Sequence, residues 1–217
     1  MRDKFYKGIV SDYVNRSQSN HVVAIDLETI IRNSNEFLSN ERIIVVSVSY
    51  FAPEMKTELY IARDDSQAEE ERILTLLDTF IGNFRPAIII GYNHTGYDIP
   101  LIRMKLKNRS YGKQLWNLKY FLSVAYCLDM MQVIADHLAA FDGDYRFRKL
   151  SEVVVHEAFG HLNLDRKKYL VIKDGKNIGE AIEEMWRSGS SDFEDYCRGD
   201  TRDILSIFQE IFCSSER

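Results

Sequence analysis

Residues Val22 to Ile25 form a short run of β-branched and small apolar side chains that stops at Asp26-Leu27-Glu28. A run of that length and make-up reads as a buried strand. Side chains two apart on a strand share a face, so Asp26 and Glu28 project together at its end. Like charges held so close raise each other's pKa by about a unit or more, a cost that a bound dication removes. Taken alone, the pair reads first as a strand that has reached solvent, and only the other motifs weaken that reading.

A second run, Ala87 to Gly91, has an Ile88-Ile89-Ile90 core too short for a helix, and Asn93 and then Asp98 follow it. Pro100 falls in the first turn of the helix expected from residue 98, which leaves Asp98 two readings. It is an N-cap, or it is a carboxylate placed where open α/β sheets build their sites, beside a strand's carboxyl end. The last helix should open on the capping box Ser191-x-x-Glu194, with an apolar stripe through Phe193, Cys197, Ile204, Phe208 and Ile211. Asp200 falls inside that stripe, where an aspartate is out of place unless it has work to do, and Tyr196 lies one turn earlier. Asp203, at the edge of the same face, reads as a solvated residue or one supporting the site from behind.

Four carboxylates and a tyrosine on separate elements suit phosphodiester hydrolysis. Two divalent ions about 4 Å apart can supply hydroxide and stabilise the leaving oxygen. An all-oxygen ligand set fits two Mg²⁺ or Mn²⁺ ions better than a softer metal.

These motifs resemble the Exo I, Exo II and Exo III motifs of the DEDD superfamily of 3′–5′ exonucleases. Asp-Leu-Glu-Thr at 26–29 is the first, Asn93-x4-Asp98 with Tyr97 before the aspartate the second, and Tyr196-x3-Asp200 the third. The tyrosine is that of the DEDDy branch, since the histidine branch would need His where Asp195 stands. The wording of the motifs is most similar to the proofreading domain of family B DNA polymerases, and the resemblance spans residue 21 to about 210. It implies a ribonuclease H-like α/β fold whose mixed sheet, with its second strand antiparallel, is flanked by helices. It further implies that Asp26, Glu28, Asp98 and Asp200 hold the metals and that Tyr196 orients the attacking water. Leu27 and Thr29 would lie by the terminal nucleotide, and Asn93 would touch the strand or brace the site. Tyr97, Arg103 and Lys105 complete the expected substrate contacts. The implied activity is release of nucleoside 5′-monophosphates from the 3′ end of single-stranded or frayed DNA. An exoribonuclease and a non-catalytic nucleic-acid-binding subunit are the alternatives.

A chain of 217 residues, 45% hydrophobic and 28% charged, can bury a good core as one catalytic domain over 1–217. Cys127, Cys197 and Cys213 are too dispersed for a metal cage and suggest reduced thiols in a cytoplasmic protein. No apolar run approaches membrane-spanning length, so no membrane partner is expected. Strands are expected near 21–27, 41–51, 57–62, 87–91 and 122–128, with helices near 68–84, from 98, near 148–159, near 178–188 and at the end.

A net charge of −5 argues against a general polyanion binder, yet no acidic residue lies between Ile99 and Leu128. Arg103, Lys105, Lys107, Arg109, Lys113 and Lys119 stand there with Tyr111, Trp116, Tyr120 and Phe121, a composition for phosphates and unpaired bases or simply a solvated face. Tyr145 to Lys149 and Arg166-Lys167-Lys168 are weaker stretches of the same kind. His156-Glu157-x3-His161 has its histidines five apart rather than the four a zinc helix requires, and no P-loop or dinucleotide fingerprint occurs. His94 is the one histidine placed to touch substrate.

Overall fold

The computed structural model describes residues 21–31, 41–107, 114–165 and 178–213, together with Val10. Strands β1 (Val22–Ile31), β2 (Glu41–Phe51), β3 (Met55–Ile61), β4 (Ile88–Gly91) and β5 (Tyr126–Asp129) make one sheet in the order β3-β2-β1-β4-β5. β2 runs antiparallel to β1 and β3, whereas β1, β4 and β5 are parallel. This is the mixed, helix-flanked sheet of the ribonuclease H-like fold.

β1 lacks polar alternation in its first half because both its faces are covered. Val23, Ile25 and Leu27 enter one core with α1 (Gln67–Phe84), α2 (Asp98–Lys105) and α3 (Trp116–Val124). Val22 and Ala24 enter the other with α4 (Met130–Asp142) and much of α7 (Ser191–Cys213). α7 supplies Phe193 and Cys197 to the first core and Ile204, Phe208 and Ile211 to the second. That double duty fixes the helix across the sheet.

Three local expectations need correction. The strand foreseen at 122–128 is only β5, preceded by helix α3, whose Leu118, Phe121 and Leu122 are buried at helical spacing. Asp78 of α1 anchors the start of α3, accepting from the Leu118 N–H at 2.8 Å and the Asn117 amide at 2.9 Å. The helix expected over 148–159 is split into α5 (Leu150–Val153) and a 3₁₀ turn at Glu157–Phe159. His156 breaks the run, its ring nitrogen accepting from the Ala158 N–H. The cap of α7 is Ser190 rather than Ser191: its Oγ accepts from the Asp192 N–H at 3.2 Å. Gly189, at φ 64°, turns the chain out of α6 (Ile178–Ser188) and leaves Ser190 in the cap position.

Among the described residues no helix is long and apolar enough to cross a membrane. Arg109, Tyr111, Lys113 and Arg166-Lys167-Lys168 lie outside the described residues.

Candidate active site

β4 pairs with β1 only over Val22 to Ala24, so β1 runs on past its neighbour. Beyond that point the Leu27 N–H is taken by the Asp98 carboxylate, at 3.1 Å to Oδ1. The first residue of α2 thereby holds the strand that carries Asp26 and Glu28. On the other side Asp26 lies level with Ser47 and Glu28 with Val45. The register then slips: Thr29 lies level with Ile43, leaving Ile44 as an extra residue on β2. Such bulges re-aim side chains at the ends of pairing. Thr29 Oγ1 meets the Tyr97 hydroxyl at 2.7 Å, and that hydroxyl also donates to Glu41. Two residues expected at the substrate are thus tied to each other.

Helix α7 brings Asp200 to the strand. Its Thr201 hydroxyl is hydrogen-bonded to Ser47 Oγ at 2.9 Å and Ser49 Oγ at 2.8 Å, all three residues buried. Because Ser47 is the partner of Asp26, this hydroxyl trio sets Asp200 across from Asp26. Oxygens of Asp26, Glu28 and Asp200 all lie within 4.8 Å of one another. Asp98 is not one of that group; it is buried, its carboxylate held on the Leu27 N–H between Asp26 and Glu28. Tyr196 is buried one turn before Asp200, and burial together with Glu28, Asp200 and Asp26 pushes its hydroxyl well above the ordinary tyrosine range. It stays a protonated donor. The same causes keep Cys197 a neutral thiol.

Residues without an obvious sequence signal complete the walls. Tyr92 and Leu150 line a narrow recess with Asp26, Gly91 and Asp200. The Tyr92 hydroxyl donates to the Arg148 carbonyl. A side chain at Gly91 would meet His94 Cβ at 2.7 Å and the Ile25 carbonyl at 2.8 Å, so only glycine fits. Asp129, at the end of β5, accepts from the backbone N–H groups of Asn93 and Thr95 at 2.9 and 3.2 Å and from the Thr95 hydroxyl at 2.6 Å. Asn93 itself is exposed and adopts a left-handed turn at φ 56°.

Several sequence-based expectations end elsewhere. Lys105 is buried, with Nζ 2.8 Å from Glu70, so it belongs to the core and not to a substrate path. Arg103 is exposed but its Nη2 donates to the Leu122 carbonyl at 3.1 Å. Asp203 is only 3% exposed and accepts from the Asp165 N–H at 3.1 Å, which corrects the solvated reading and makes it a structural brace. His94 is buried as well, with Nδ1 3.2 Å from the Gly91 carbonyl, and burial lowers its pKa, so it is neutral and faces the fold rather than a substrate.

Burial pushes the Asp98 carboxyl from its ordinary 3.8 up to about 7, with Asp129 adding to the rise and the Leu27 N–H opposing it. Between about pH 4 and 7 the unfolded chain gives up a proton that the folded protein keeps. The metal-free protein should therefore lose stability as pH rises through that window. In chelator, Asp98→Asn should flatten this fall and raise stability at pH 8 by up to roughly 4 kcal/mol. Urea unfolding at a series of pH values measures it; identical pH slopes for the two proteins would refute it.

The carboxylate trio fits hard divalent cations, being all oxygen and convergent from two elements. No protein-family model and no curated protein matches the chain. Among solved structures, the fold is similar to a family B DNA polymerase from the hyperthermophilic archaeon Pyrobaculum calidifontis, at a TM-score of 0.59 and 19% identity over 88% of this chain. The chain spans 24% of that polymerase, and the likeness is one of fold.

Proposed function

We propose that the protein is a metal-dependent 3′–5′ exonuclease of the DEDDy kind, acting on single-stranded or frayed DNA. The observation that carries this reading is the convergence of Asp26, Glu28 and Asp200 beside the Tyr196 hydroxyl. The likeness to a DNA polymerase supports nucleic acid as the substrate class.

Asp26, Glu28 and Asp200 would hold Mg²⁺ or Mn²⁺ ions, with Asp98, fixed on the Leu27 N–H, as the fourth carboxylate of the set. Bound there, the ions would offset charge on the phosphate and make a hydroxide nucleophile accessible at neutral pH. Tyr196, held protonated, donates a hydrogen bond that orients the attacking water and does not itself take a proton. Thr29, buttressed by Tyr97 and Glu41, forms a firm floor for the terminal nucleotide. With Lys105 in the core, outlying bases have another platform available on α3. Trp116 and Tyr120 are 66% and 70% exposed there, with Lys119 Nζ 5.6 Å from the Trp116 ring.

The test is a 5′-labelled DNA oligonucleotide beside the same strand with a bulky 3′ block, a circular single strand and a matched RNA. A descending ladder from the free 3′ end is expected, absent in EDTA and restored by Mg²⁺ or Mn²⁺. Single strands should be degraded faster than paired ends, because unpairing costs about 1–2 kcal/mol per base-pair step. Cutting of the circle would show an endonuclease; a ladder in excess chelator would sink the metal mechanism; faster loss of the RNA would reassign the substrate.

A further inference from the structure

Glu58 lies level with Val48 on β2, and Asp26 lies level with Ser47. Consecutive residues of a strand face opposite sides, so Glu58 is on the far face of the sheet from the carboxylate trio. There it sits in an open recess of about 450 Å³ lined by Tyr50, Tyr60, Leu76, Phe80 and Phe84. The Tyr50 hydroxyl donates to one carboxylate oxygen and the Tyr60 hydroxyl to the other, each at 2.6 Å. Tyr50 packs on Phe80 and Phe84 with ring centroids 5.0 and 4.9 Å apart.

The two hydroxyls fix the carboxylate and leave each oxygen a further acceptor site. Burial, followed by the hydrogen bond to Glu58, pushes Tyr50 up to about 12 and Tyr60 higher still, so both remain donors. Among the described residues no lysine or arginine pairs with Glu58, and none lines the recess. Lys56, two residues away on the same face, is exposed and makes no ion pair with it. A pinned carboxylate among aromatic rings provides a charge-assisted acceptor and ring quadrupoles together, and both favour a cation.

We propose that this recess binds one cationic side chain, lysine or arginine, presented by a partner protein. One carboxylate matches one cation. A polyamine would leave its remaining charges unmatched against the apolar walls, which favours the side chain over a free amine. The site is independent of the nuclease reading, because it uses none of the same residues.

The experiment is an amide NMR titration of the full chain with three probes: a capped Gly-Arg-Gly peptide, its Gly-Gln-Gly counterpart and spermidine. The arginine peptide should give saturable shifts confined to Tyr50, Glu58, Tyr60 and Phe84 and their neighbours. Glu58→Gln, which keeps the shape and an acceptor for the tyrosines, should weaken that binding by at least about tenfold. Cleavage of a DNA strand should be unchanged. Tyr60→Phe is the second variant and should weaken binding less. No saturable shift up to about 10 mM peptide, or equal binding of the neutral peptide, overturns the proposal. Undiminished binding by a folded Glu58→Gln overturns it too, and tighter binding of spermidine would replace the partner protein by a free polyamine.

Discussion

Asp200→Asn should lower the rate of DNA cleavage at least about a thousandfold while the protein remains folded. The substitution keeps size and shape but removes one of the three charges that converge within 4.8 Å. A lost metal ligand removes several kcal/mol of transition-state stabilisation, and each 1.36 kcal/mol is a factor of ten in rate. Asp26→Asn should match it. Tyr196→Phe removes an orienting donor and no ligand, so the rate should fall by about 10–100-fold with Mn²⁺ affinity retained. Mn²⁺ titration by electron paramagnetic resonance, alongside single-turnover kinetics, separates the two classes. Asp203→Asn supplies the contrast, for Asp203 holds the Asp165 backbone behind the helix and should lower thermal stability more than rate. If folded Asp203→Asn were as inactive as Asp200→Asn, the ligand assignment on α7 would be wrong.

Removing Glu70 should cost about 3–5 kcal/mol of stability. Its buried carboxylate is 2.6 Å from Arg42 and 2.8 Å from Lys105, and it accepts from the Ile43 N–H at 2.9 Å. Glu70→Ala leaves the Lys105 ammonium buried without its carboxylate and strands a backbone donor where β2 begins. For a domain of ordinary marginal stability that is a large share of the whole. The midpoint of urea unfolding reads it directly, and a loss below about 1 kcal/mol would show that the network is solvated. Lys105→Met should likewise lower stability, with the affinity of the folded protein for a single strand unchanged. That result would separate the buried role from the substrate contact its sequence neighbourhood suggested.

How far the sequence could be read depended on range. β2 and α6 lie where the pattern placed them, because their periodicity is local. The approach of Asp26, Glu28 and Asp200 was legible because carboxylates in a strand end and in a helix's apolar stripe violate the surrounding pattern. α3 was misread since Trp116, Tyr120 and Val124 are exposed on the face opposite its buried one, which hides the helical period, and its anchor Asp78 is far away in the chain. Lys105 counted as one more cation of a basic stretch because nothing within that stretch discloses Glu70. The small polar pair Ser47 and Ser49, following the apolar run Ile43 to Val46, was the available sign of the Thr201 bridge.

That bridge joins residues 154 apart, and it sets when the site can exist. β1 leaves the ribosome with two of the three carboxylates well before α7 brings the third. Closing so long a loop cannot precede the synthesis of that helix. A nascent chain, however well its first strands have paired, therefore carries no assembled cluster. Docking of α7 through the Thr201 bridge is therefore the step that completes the carboxylate cluster, and a chain whose first strands have paired still lacks it.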